Sequence, residues 1–246
     1  MRPLALDRPL MDWSPLDWAA LNWAALEADL TAYGYALTPP VLTADQCAAL
    51  RALYRDDRPF RSRVVMARHA FGEGDYAYFA DPLPPLIQGL RQAFYEGLAP
   101  MANRMLRAMG RDTHYPPTLA EYRAVCAANG QTKPTPLLLR YGEGGYNRLH
   151  RDLYGDLAFP LQATAMLSRP GQDFGGGQFL LVENRPRQQA IGTAVDIPQG
   201  SFILFPTNER PVQGARSILR ASLRHGVSRV IWGERHTLGL IFHDAA

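Results

Sequence analysis

LLLRY (137–141), QATAMLS (162–168), QFLLVE (178–183), SFILF (201–205), LRASLRH (219–225) and HTLGLIF (236–242) follow one another as short, strand-like apolar runs. GEGG, RPGQDFGGG and IPQG punctuate them with turn residues. Many short strands at such spacing predict a β-sandwich or barrel. Upstream the pattern is mainly helical. Ser14-Pro15 followed by Asp17 predicts an N-cap and a helix running to about Ala32, with Leu16, Ala20, Trp23, Leu26 and Leu30 on one face. Thr43 with Gln46 predicts a capping box opening a helix towards Arg55, and Thr118 with Glu121 a second one whose helix Gly130 ends. Leu86 to Met109 has a helical period, interrupted at Pro100 and closed by Gly110. RSRVVMA (61–67) and GDYAYF (74–79) predict the two strands of a hairpin lid outside the core. The expected class is α+β: one domain over 1–246, with helical support and lid over about 1–133 and a β-roll core over about 134–246.

The 246 residues, 47% of them hydrophobic and 20% charged, can bury a core without disulfides or a structural metal. That composition excludes global disorder and collagen-like or coiled-coil order. No apolar run reaches the roughly 18 residues of a membrane-spanning helix, so no membrane partner is expected. MRPLALDRPLMDWSPLDW, at the start, has acids and prolines where a signal peptide needs an apolar run, which predicts a cytoplasmic protein. Cys47 and Cys126 lack metal-ligand spacing and read as buried, reduced thiols. Lys133 is the one lysine, so 25 of the 26 basic residues are arginine. A net charge of +3 permits an anionic partner without demanding one. There is no internal repeat, and a monomer is expected.

The histidines are six: His69, His114, His150, His225, His236 and His243. His150-Arg151-Asp152 places an imidazole and a carboxylate two residues apart, and in an extended segment such residues face the same side. One more histidine from a later strand would complete a two-His, one-carboxylate set, which suits Fe(II) and leaves positions open for substrate and O2. In LRASLRH, Leu219, Ala221 and Leu223 alternate with Arg220, Ser222 and Arg224, which puts His225 on the inward face. An inward histidine at a strand end also reads as a satisfied core residue. His236 and His243 lie on or near the last strand, while His69 and His114 precede the roll. Ten residues after His225 comes Arg235, with Thr237 on the same strand face. A guanidinium and a hydroxyl on one face can grip a carboxylate; a surface ion pair is the plainer reading.

HxD, then a distant His, then Arg-x-Thr resembles the pattern of Fe(II)- and 2-oxoglutarate-dependent oxygenases. RYGEGGYNRLHRD (140–152) resembles the entry to the iron site in prolyl-hydroxylase-like and AlkB-like members, and HGVSRVIWGERHTLGLIFHD (225–244) their closing strands. FRSRVVMARHAFGEGDYAYF, PTPLLLRYG, HRDLYG and RHGVSRVIWGERHTLG are similar to a bacterial family of stand-alone oxygenases proposed to act on damaged nucleic acid, from about residue 30 to the end. The resemblance implies a double-stranded β-helix (jelly roll) core with a helical N-terminal support layer. It implies His150, Asp152 and His225 as iron ligands, Arg235 as partner of the distal carboxylate of 2-oxoglutarate, Thr237 assisting, and Tyr141 lining the cosubstrate pocket. It further implies Fe(II), 2-oxoglutarate and O2 as reactants, with release of succinate and CO2, and a part in DNA repair. One position departs: some prolyl hydroxylases place a second tyrosine where this chain has Met166.

Arg61, Arg63, Arg68, Tyr76 and Tyr78 mix guanidinium and aromatic groups, which can hold phosphates and stack bases, or can form an exposed solubilising hairpin. Gly175-Gly176-Gly177 reads as a flexible turn without phosphate-loop context. Trp13, Trp18 and Trp23 suit packing of the first helix. Fold and cofactor leave the substrate open among alkylated nucleic acid, a protein side chain and a small metabolite. A catalytically silent jelly-roll binding module is the rival outside enzymes.

Overall fold

The computed structural model of the chain describes residues 21–152, 157–215 and 217–246. Among the described residues four helices precede the roll: α1 (Trp23–Tyr33), α2 (Ala44–Leu53), α3 (Pro85–Ala108) and α4 (Leu119–Ala128). Both predicted capping boxes form, Thr43 with Gln46 at α2 and Thr118 with Glu121 at α4. The first helix differs from expectation. Its N-cap is Asn22, whose side chain accepts from the Ala25 N–H at 3.0 Å, so the chain is not helical through residue 22. Ser14, Leu16, Ala20, Trp13 and Trp18 lie outside the described residues. Trp23 packs edge-on against Phe94 of α3, and only a glycine fits beneath it: a Cβ on Gly97 would stand 2.4 Å from the indole. α3 runs unbroken through Pro100, contrary to the predicted interruption. Proline removes the partner of the Glu96 carbonyl, but both residues face solvent, where water replaces it.

Among the described residues fifteen strands follow the helices or interleave with them. β1 (Ala36–Leu37), β2 (Phe60–Val65), β4 (Asp75–Phe79), β5 (Leu137–Tyr141), β7 (Leu161–Met166), β11 (Phe202–Pro206) and β15 (Arg235–Leu240) form a seven-stranded sheet in the order β1-β11-β7-β15-β5-β4-β2. β3 (Gly72–Glu73), β6 (Tyr146–His150), β9 (Phe179–Asn184), β10 (Ile191–Val195) and β13 (Ile218–Val227) form the second, in the order β10-β9-β13-β6-β3, with β12 (Glu209–Gln213) also on β13. β8 (Phe174–Gly176) and β14 (Val230–Gly233) pair separately. The strand pairs are antiparallel, and the two sheets enclose one apolar cluster that includes Tyr141, Met166, Phe179, Phe205 and Leu223. The other face of the larger sheet packs on α3; Phe94 meets Phe202 at 4.5 Å between ring centroids. This is a double-stranded β-helix with a helical support layer.

Two expectations fail in instructive ways. β2 and β4 do pair with one another, but they are not a lid. β4 is hydrogen-bonded to β5, with Tyr76 opposite Leu139 and Tyr78 opposite Leu137, so the hairpin extends the large sheet. Ala77 and Phe79 face the helical core and are fully buried, while Tyr76 and Tyr78 alternate to the other side. The triple glycine is not a flexible turn either. A Cβ on Gly175 would stand 2.2 Å from Trp232, and one on Gly177, at φ +62°, 2.9 Å from the Arg235 side chain. These glycines let β14 and the Arg235 stem pack against β8.

Candidate functional site

β6 ends at His150, and its register on β13 sets His150 directly opposite His225. Asp152 follows two residues later. His150 Nε2 lies 3.3 Å from Asp152 Oδ1, and His225 Nε2 lies 3.3 Å from Asp152 Oδ2. One ligand atom from each side chain falls within 4.8 Å of the other two. Neighbouring ligands held ~2.1 Å from one ion in an octahedral arrangement stand ~3 Å apart, so the spacing matches a metal centre with a vacant face. His150 Nδ1–H donates to the Arg148 carbonyl at 2.7 Å, which leaves the Nε2 lone pair facing the other two groups. His225 is oriented by packing: its ring stacks on Phe179 with an interplanar angle of 11° and meets Phe205 at 4.7 Å.

The electrostatics agree with the donor set. Burial works against the charge of Asp152, yet the two imidazoles hold its carboxyl well below the ordinary range. Burial also pulls His225 down, against the opposing pull of Asp152. For His150 burial acts the same way, but Asp152 outweighs it and the net direction is upward. A permanently ionised carboxylate beside two imidazoles is a ready site for a divalent cation.

Arg235 opens β15 opposite Tyr141 on β5. It is 1% exposed, and its guanidinium stands 5.4 Å from the centre of the Tyr141 ring. Among the described residues no carboxylate pairs with it, and its Nε has no hydrogen-bond partner. Burial pulls its pKa down to about 10, with Tyr141 opposing. Burial pushes the Tyr141 phenol up. A buried, unpaired cation costs free energy in the empty fold, which an anionic ligand would offset. Thr237 lies two residues on, on the same face, and is also buried.

One cavity of about 410 Å³ joins these groups. The triad, Arg235, Thr237, Tyr141, Tyr76 and Tyr78 all line it. The arginines singled out in the sequence do not. Arg61 is exposed and stacks on Tyr78, 4.6 Å from its ring, so it reaches the cavity only through that tyrosine. Arg63 is tied to Asp57 and lies over Tyr54, and neither it nor the exposed Arg68 lines the cavity. Arg148 and Arg151 line it instead and are exposed. Arg151 sits inside the HRD triplet, whose spacing marks it in the sequence; Gln162 and Thr164, further lining residues, are polar positions in an apolar strand. His236 and His243 are buried elsewhere in the closing segment, and His69 is exposed, stacked on Phe71.

A family model described as "Oxygenase, catalysing oxidative methylation of damaged DNA" matches residues 74–245. Two uncharacterized proteins of Mycobacterium tuberculosis are each 48% identical over 168 residues, 68% of this chain and 72% of theirs. Among solved structures, a prolyl-4-hydroxylase of Pseudomonas putida superposes with a TM-score of 0.56 at 18% identity, covering 91% of this chain and 100% of that one. A 2OG-Fe(II) oxygenase family oxidoreductase of Burkholderia pseudomallei gives 0.55 at 15%, covering 91% and 93%. A prolyl hydroxylase of Trichoplax adhaerens, solved with a hypoxia inducible factor peptide fragment, gives 0.54 at 14%, covering 90% and 89%. Identities this low establish a shared fold and nothing narrower.

Proposed function

This chain belongs to that family of oxygenases, and on this premise we propose that it is an Fe(II)- and 2-oxoglutarate-dependent dioxygenase that hydroxylates alkylated bases of nucleic acid. His150, Asp152 and His225 would hold the iron through two Nε2 atoms and a carboxylate oxygen. Arg235 would bind the distal carboxylate of 2-oxoglutarate, with Thr237 and Tyr141 beside it. The observation that carries this reading is the buried guanidinium without a carboxylate partner, in one cavity with the triad. When bound, iron and 2-oxoglutarate supply O2 activation, with succinate and CO2 released and one oxygen atom inserted into a substrate C–H bond.

The chain's own residues supply position and dryness. Phe179 and Phe205 fix His225 and exclude water from its side of the site. The cavity volume lies in the range of small-ligand sites, large enough for the cosubstrate and one planar group. Tyr76 and Tyr78 give its wall two aromatic faces, and Arg148 and Arg151 carry positive charge on its lining. A stacked base is out of reach of such a centre, so the substrate base must be unpaired or extruded. Hydroxylation of an N-methyl carbon gives a hemiaminal, which sheds formaldehyde and restores the base. The test is Fe(II)-dependent conversion of 2-oxoglutarate to succinate, stimulated by methylated oligonucleotides and matched by formaldehyde release. No turnover on any nucleic acid, with succinate still formed, would return the substrate to the protein or small-molecule classes.

A further inference from the structure

Gln162 is a buried amide with an unused donor. It stands on β7, is 4% exposed, and its Nε2 has no hydrogen-bond partner among the described residues. Buried donors are nearly always paired, so an orphan in a binding cavity points to a ligand. Gln162 lines the cavity that holds the triad. Phe205, its partner across the β7–β11 pair, is in ring contact with His225, which puts the amide near the metal end.

The surroundings define what the amide can meet. Leu137, Ile241 and Phe205 make the nearby wall apolar, and Thr164 adds one hydroxyl on the same strand face. Gly239 pairs with Leu137 on one side and Thr164 on the other, and a Cβ there would stand 2.7 Å from the Leu137 side chain, which packs over this backbone. Thr237 pairs with Met166, so the ladder runs from Arg235 past Gly239 before it reaches the level of Gln162. At ~3.3 Å per residue, the two polar ends of this wall are ~20 Å apart along the backbone. A cosubstrate anchored at Arg235 therefore leaves the amide to the substrate.

We propose that Gln162 reads the edge of the unpaired base. Its amide offers a donor and an acceptor side by side, and a base lying in the cavity against Leu137 and Ile241 presents the matching pair on its edge. The inference rests on the nucleic-acid reading of this site. It assigns to Gln162 the discrimination between a strand with a base inserted and a strand with none.

The experiment measures binding by fluorescence anisotropy, with Fe(II) and 2-oxoglutarate present and oxygen excluded. The probes are short single strands carrying one methylated base and the same strands carrying an abasic residue. Wild-type protein should prefer the methylated strand, and Gln162→Leu should lose that preference by about tenfold or more. Gln162→Met, which keeps the length of the side chain, should do the same. Both variants should melt at or above the wild-type temperature, because each removes an unpaired buried donor. Unchanged binding of the methylated strand by both variants overturns the proposal. So does a parallel loss of 2-oxoglutarate affinity, which would give the amide to the cosubstrate. Wild-type protein that binds strands but ignores the base overturns this inference alone; wild-type protein that binds no strand overturns the nucleic-acid substrate with it.

Discussion

The Arg235 guanidinium and the Tyr141 ring face each other across the β5–β15 pair at 5.4 Å, both buried, with no carboxylate of the described residues on the arginine. The empty fold tolerates this charge at a cost, so its removal has two opposite effects. Arg235→Leu should raise the melting temperature of the ligand-free protein. The same variant should weaken 2-oxoglutarate binding by about 2–5 kcal/mol, as loss of a desolvated charged contact does. Thermal unfolding and 2-oxoglutarate titration together check this. Unchanged affinity would place the cosubstrate elsewhere.

Asp152 bridges His150 and His225 at 3.3 Å each, so it is the group that ties the two imidazoles together. Asp152→Ala should abolish succinate formation and leave two imidazoles without their counter-charge. A divalent ion should stabilise wild-type protein against heat, in proportion to the logarithm of its concentration, and should not stabilise the variant. Equal stabilisation of both would end the assignment of this centre.

How far the sequence reveals this site depends on the kind of signal. HxD and Arg-x-Thr are short-range patterns on extended chain, and a period of two suffices to put each pair on one face. The capping boxes are equally local, which is why Thr43 and Thr118 mark their helices correctly. The sequence sets β2 and β4 outside the core because the pairing of β4 with β5, which carries β2 into the sheet behind it, is long-range: the arginines of FRSRVV suggest an exposed hairpin, and only Ala77 and Phe79 record the buried face. The glycines at 175–177 look like flexibility because Trp232 and Arg235, which require them, lie far along the chain. Gln162 shows in the sequence only as a polar position in an apolar strand; its orphaned donor exists only once the cavity does.

Cavity-lining charge gives a prediction that separates neighbouring arginines. Arg148 and Arg151 line the cavity, whereas Arg63 is occupied by Asp57 and Tyr54. Replacing Arg148 and Arg151 by alanine should flatten the salt dependence of oligonucleotide binding by about 1.4 in log–log slope, from about 0.7 per phosphate contact on single strands. Arg63→Ala should leave that slope unchanged. Anisotropy titrations across a salt series measure both, and an equal effect of the two changes would contradict the mapping.

Arg91 of α3 anchors the closing segment. It is fully buried, donates to the carbonyls of Ile241 and Phe242 at 3.1 and 2.9 Å, and pairs with Asp244 at 2.7 Å. Arg91→Leu would leave the buried Asp244 with Arg123 alone, at 3.1 Å. Breaking one side of such a pair typically costs about 3–5 kcal/mol. Urea unfolding should show the midpoint falling accordingly, and a loss under about 1 kcal/mol would mean that Arg123 compensates.

Acid should weaken the fold through two buried histidines outside the triad. Burial first, then the nearby arginines, pulls His236 down to about 4; burial and Arg91 do the same to His243. Between about pH 6.5 and pH 4 the unfolded chain binds protons that the folded chain refuses, so stability rises with pH across that window. The contribution is complete above about pH 6.5, declines as pH falls, and is exhausted near pH 4. At about 1.4 kcal/mol per pH unit, each histidine is worth up to roughly 3 kcal/mol over the whole window. Urea unfolding of metal-free protein at about pH 7.5 and pH 5 should lose about 2 kcal/mol less in His236→Gln than in wild type. Parallel curves for the two proteins would show that His236 is not held neutral by the fold.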